Sequence, residues 1–133
     1  MGDSCEMLVA AEMTLAGMPA MKVPDNWPHY DVVAQPPDGG NAQRISVKGR
    51  TFKRGASFVS YNANDKFDWL AIVLLPGGEL PQRPFFIIPR EVADRLARKD
   101  KETSRTRHQR YWRLDEVADN LARYANNFCL SRD

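Results

Sequence analysis

"YDVVAQPPDGGNAQRISVKGR", residues 30 to 50, decides how the rest of this chain is read. From Tyr30 to Gln35 the residues alternate. Asp31, Val33 and Gln35 fall on one face of an extended strand, Val32 and Ala34 on the other. "PPDGG" is a turn with a mechanism, since proline sets φ and glycine permits positive φ. Arg44 to Lys48 alternates again, with Ile45 and Val47 on one side and Arg44, Ser46 and Lys48 on the other. The stretch predicts a hairpin with an aspartate on its first strand and a lysine on its second. Ser46 and Lys48, two residues apart, share a face at a spacing of about 7 Å. The hairpin brings Asp31 beside them. Such a group suits hydrolysis: the carboxylate holds Mg²⁺, and the lysine orients or deprotonates a water and steadies charge on a phosphoryl group. The bland reading makes Asp31 a strand start and Lys48 a lysine snorkelling from a strand end.

Upstream, "SCEMLVAAEMTLAG" predicts a helix that is apolar almost all round and therefore mostly buried. Asp3 reads as its cap, with Glu6 closing a capping box, and Gly17 as its C-terminal stop. Glu6 and Glu12, the charges within that stretch, lie about 120° apart around the axis and face different surroundings. An acid on a buried helix needs a reason, and Glu6 is a candidate to support the hairpin site. A short strand is expected near Met21 to Val23. Downstream, "RTFKRGA" reads as a basic loop and "SFVSY" as a strand. "WLAIVLL", a continuous apolar run, suits a central strand buried on both faces, and "PFFIIP" is another. "REVADRLARKD" has helical spacing, "KETSRTRHQR" is a polar basic loop, "YWRL" is extended, and Asp115 caps a last helix. Strands interleaved with helices predict an α/β (α+β) fold with a mixed sheet of about five strands flanked by helices.

A chain of 133 residues is the size of one domain, 1–133. At 43% hydrophobic and 27% charged it has ordinary globular composition. Two cysteines, Cys5 and Cys129, exclude a disulfide framework and a cysteine-built zinc site. No apolar run reaches membrane-spanning length. The apolar stretch from Met7 follows Asp3 and Glu6 rather than a basic segment, unlike a signal peptide; the expected location is the cytoplasm. The net charge of +2 hides an asymmetry. Residues 1–31 carry Asp3, Glu6, Glu12, Asp25 and Asp31 against Lys22, whereas 44–54 carry Arg44, Lys48, Arg50, Lys53 and Arg54 and no acid. A second basic block covers 95–113. Such blocks attract a phosphate backbone, and Arg50, Lys53 and Arg54 are the candidates to follow it. Their alternative is a solvated hairpin tip.

The ordered set of Glu6, "YDVVA", "PPDGG", "ISVKGR", "FDWLAIVLL" and "PFFIIPREV" resembles the PD-(D/E)XK nuclease superfamily, and within it the small bacterial domains of unknown function. The resemblance spans roughly residues 4 to 98. It implies a restriction-endonuclease-like fold and a Mg²⁺- or Mn²⁺-dependent DNA endonuclease. The superfamily's metal-binding aspartate maps to Asp31, its lysine to Lys48, its helix glutamate to Glu6, and its backbone-carbonyl ligand to Val47. Enzymes of this fold often pair as homodimers. The chain departs from the pattern at Ser46, where the superfamily places an acid. Serine removes one formal charge from a site that prefers anionic oxygens. The alternative function is therefore an inactive nuclease-fold module that binds nucleic acid or a protein.

Overall fold

The computed structural model describes residues 2–51, 57–75 and 84–133. Helix α1 (Gly2–Leu15) leads into β1 (Ala20–Lys22), β2 (Val32–Ala34) and β3 (Gln43–Thr51). Strands β4 (Phe58–Asn62), β5 (Trp69–Leu75) and β6 (Phe85–Pro89) follow, then helix α2 (Arg90–Leu96). The chain closes with β7 (Arg98–Lys99), β8 (Gln109–Arg113), helix α3 (Leu114–Asn120) and a 3-10 turn, Ala122–Tyr124. The main sheet has the order β1-β2-β3-β5-β6. It is mixed: β3 and β5 run parallel, and the other pairs are antiparallel. The sheet of five strands flanked by helices agrees with the expected architecture.

The central pairing explains itself. β5 is apolar throughout and buried over six of its seven residues. Its alternate side chains feed two layers. Ile45, Val47, Trp69, Ala71 and Val73 pack under α1 with Cys5, Val9 and Met13. Leu70, Ile72 and Leu74 face a second layer with Val59, Tyr61 and Trp112.

Several expectations are corrected. Asp115 does not cap α3, whose N-cap is Arg113; it lies inside the first turn. Asp3 does not cap α1, because the helix begins at Gly2 and Asp3 lies inside its first turn. The helix is not buried all round either: Met7 is 56% and Leu15 82% exposed. One face covers the sheet and nothing described covers the other. The sequence reading also missed a second, three-stranded sheet of order β4-β8-β7. It carries β4 off the main sheet, so the crossover from β3 to β5 passes through it.

Arg90, at the start of α2, ties the main-sheet side of the second layer to the turn that follows β4. Its guanidinium donates to the carbonyls of Asp65 at 2.6 Å and Ala63 at 2.8 Å, and to the carboxylate of Asp94. It also lies 4.3 Å from the centre of the Phe67 ring. Tyr61 donates its hydroxyl to the same Asp94, at 2.6 Å.

Candidate functional site

The cleft forms where β2 parts from β3. Ile45 has Val32 as its register partner, yet its carbonyl accepts the N–H of Asp31 at 2.9 Å. Two residues thus stand opposite one, the arrangement of a β-bulge, which re-aims a side chain. Asp31 therefore turns toward β3, and its Oδ2 accepts the Val47 N–H at 2.7 Å. In a strand the N–H and C=O of one residue leave by the same edge. The Val47 carbonyl accordingly lies on the Asp31 side.

Helix α1 brings the second carboxylate. Its approach to β3 is close because Gly49 has no side chain: a Cβ there would sit 2.3 Å from Cys5 Sγ and 3.1 Å from Cys5 Cβ. This contact seats the first turns of α1 over the end of β3. Gly2, Glu6, Asp31, Val47, Lys48, Gly49, Arg50 and Thr51 line a cleft of about 440 Å³.

Glu6 is 15% exposed in its side chain. Burial pushes its carboxyl above the usual carboxylate range, and the negative charge of Asp31 adds to the effect. Lys22 opposes it from 3.8 Å. Lys22 stands among Asp3, Glu6 and Asp25, whose carboxylates approach within 4.8 Å of one another. One lysine ammonium already stands among that trio and offsets one of its charges. Lys48 makes no ion pair among the described residues, although it lines the same cleft as the two acids.

Four predicted residues thus meet in one cleft: Glu6, Asp31, Val47 and Lys48. Arg50 lines it too, with its guanidinium turned to the Gly49 carbonyl at 2.7 Å. Ser46 does not line it. It is 3% exposed, the single buried polar side chain among the described residues, and its register partner is Leu70. Lys53 and Arg54 lie outside the described residues. The sequence reading missed Gly49 and Lys22. The signal for Gly49 was a glycine inside a strand, which marks close backbone approach; Lys22 had no local signal.

No known family profile matches the chain, and no curated protein matches it in sequence. Among solved structures it is similar to a bacterial homing endonuclease, I-Ssp6803I. That match has a TM-score of 0.53 at 20% identity, over 82% of this chain and 85% of that one. It also aligns with the Archaeoglobus fulgidus Holliday junction resolvase Hjc at a TM-score of 0.48 and 16% identity, over 84% of this chain and 98% of that one. The first of these likenesses establishes the architecture.

Proposed function

We propose that this chain, whose fold is that of the restriction-endonuclease-like nucleases, is a divalent-metal-dependent endonuclease acting on DNA. The observation that carries the reading is the convergence of Glu6, Asp31, Val47 and Lys48 on one cleft. The likeness to a homing endonuclease supports the reaction class.

The donor set suits Mg²⁺ or Mn²⁺. Two carboxylates and a backbone carbonyl are the hard oxygen ligands these cations take. The negative charge of Asp31 raises the cost of ionising Glu6, a repulsion that a cation relieves. Asp31, Glu6 and the Val47 carbonyl would hold the ion, which supplies Lewis acidity and a more acidic bound water. The rest belongs to the chain. The Val47 N–H fixes the Asp31 carboxylate. Lys48 orients the attacking water and steadies charge developing on the phosphate oxygens. Arg50 tracks the backbone at the rim. Cutting both strands takes two such clefts, which a homodimer supplies.

Ser46 favours a second reading, an inactive module that binds without cutting. Calorimetry with Mn²⁺ separates the two. The nuclease reading expects saturable binding that Asp31→Ala abolishes in a folded protein. Absence of binding in the natural chain would leave the module.

A further inference from the structure

The outer face of the second sheet has a built character that the cleft does not explain. Its inner residues, Val59, Tyr61 and Trp112, are buried. Outward stand Phe58, Ser60, Gln109, Tyr111 and Arg113. Phe58 is 46% exposed. Its ring meets Tyr111 edge to face, at 5.6 Å between centroids and 85° between planes. Beside them lies a hollow of about 270 Å³ that Phe58, Ser60, Asp100, Thr106, Gln109 and Tyr111 line.

We propose that this face binds an unpaired strand of DNA and seats one base in the hollow against Phe58 and Tyr111. The naming of DNA rests on the nuclease reading; the hollow does not. Its wall is fastened in advance. Tyr111 donates its hydroxyl to Asp100 at 3.0 Å, the Thr106 hydroxyl donates to the other oxygen of Asp100, and Gln109 N–H donates to the Thr106 carbonyl at 2.9 Å. The polar groups inside are an amide, hydroxyls and one carboxylate. These suit the edge of a base, whose amino groups donate, and repel phosphate. The cations are neighbours of its wall along the chain: Lys101 and Arg105, which flank Asp100 and Thr106 in sequence, make no ion pair among the described residues, and Arg107 follows on the same loop. Base inside and phosphate outside is the division that single-strand binders use: aromatic faces for stacking and bases along the backbone path. The charge block that runs through residues 95–113 thereby acquires a partner.

The position also serves the cleft. Seven residue steps separate Thr51, on the cleft wall, from Phe58, so chain length alone keeps their Cα atoms within about 25 Å. A strand seated in the hollow stays within reach of the cleft.

The test measures fluorescence anisotropy with a short labelled single-stranded DNA, its duplex and an RNA of the same sequence, all in EDTA, so that no cleavage intervenes. Phe58→Leu keeps the apolar bulk and removes the π face; Phe58→Leu plus Tyr111→Leu removes both. The double variant, shown folded by circular dichroism, is expected to bind the single strand about 10-fold more weakly, as the loss of one stacked base predicts. Duplex affinity changes by less than about twofold. Arg105→Glu plus Arg107→Glu makes the salt slope on single strands shallower by about 1.4 units. Unchanged single-strand affinity in the double variant overturns the proposal, as does equal loss on duplex, or tighter binding of RNA than of DNA. A natural chain that cuts nothing would count against the nuclease reading and leave this binding result standing.

Discussion

Glu6 carries the strain of the cleft in its own titration. Its carboxyl ionises above the ordinary value of 4.5, chiefly because it is buried and then because Asp31 faces it. A folded-state pKa raised above the unfolded one means that the native state holds the proton more tightly. That contribution to stability is present below pH 4.5 and is lost as pH rises through the folded value. In metal-free buffer Glu6→Gln should therefore raise Tm at pH 7 and flatten its fall above pH 4.5, as a thermal-melt series across pH will read. An unchanged profile would mean that the Glu6 carboxyl is neither desolvated nor faced by Asp31 as described. Ser46 poses the complementary question. A glutamate there enters a nearly closed position opposite Leu70, and Ser46→Glu should cost about 1–3 kcal/mol without metal. Where its carboxylate reaches the Asp31 side, it adds an anionic ligand, so Mn²⁺ should raise the Tm of the variant more than that of the natural chain. Equal Mn²⁺ responses would show that the position is sealed from the cleft.

At the scale of elements, the seating of α1 on β3 depends on Gly49. Gly49→Ala forces Cys5 or the helix to move, and the expected loss is about 1–3 kcal/mol. Cys5→Ala in the same chain should recover part of it, because the 2.3 Å contact disappears and only the 3.1 Å one remains. Denaturant melts of the single and double variants check this; strictly additive losses would refute the contact. The elements legible in the sequence were those whose patterns are local. β3 alternates, and β5 is an unbroken apolar run, so both were readable residue by residue. The bulge at Asp31 was not, because it depends on which amide the Ile45 carbonyl accepts. An aspartate three residues before a glutamate reads as a capping box whether it precedes a helix or, like Asp3, lies inside one. The second sheet escaped for a similar reason. β7 has two residues and no signal of its own, and although "SFVSY" and "YWRL" were legible as extended pieces, their pairing joins residues far apart in the chain.

Across the whole molecule, the two sheets share one apolar layer with Arg90 clamped at its edge. Arg90→Ala removes donors from two carbonyls and a carboxylate and strips the cover from Phe67. The loss should be about 2–4 kcal/mol, read as a lowered denaturant midpoint at unchanged m-value, since both layers unfold together. A split transition would mean that the sheets are independent. No helix among the described residues is long and apolar enough to cross a membrane. Whether the cleft beneath α1 cuts DNA is decided by incubating the natural chain and Lys48→Ala with duplex, branched and single-stranded DNA in Mg²⁺ or Mn²⁺ and following strand breakage. Cleavage by the natural chain that EDTA stops and that folded Lys48→Ala loses by at least about 100-fold is the predicted result. Breakage that persists undiminished in Lys48→Ala, or no breakage of any substrate by the natural chain in either metal, would contradict it.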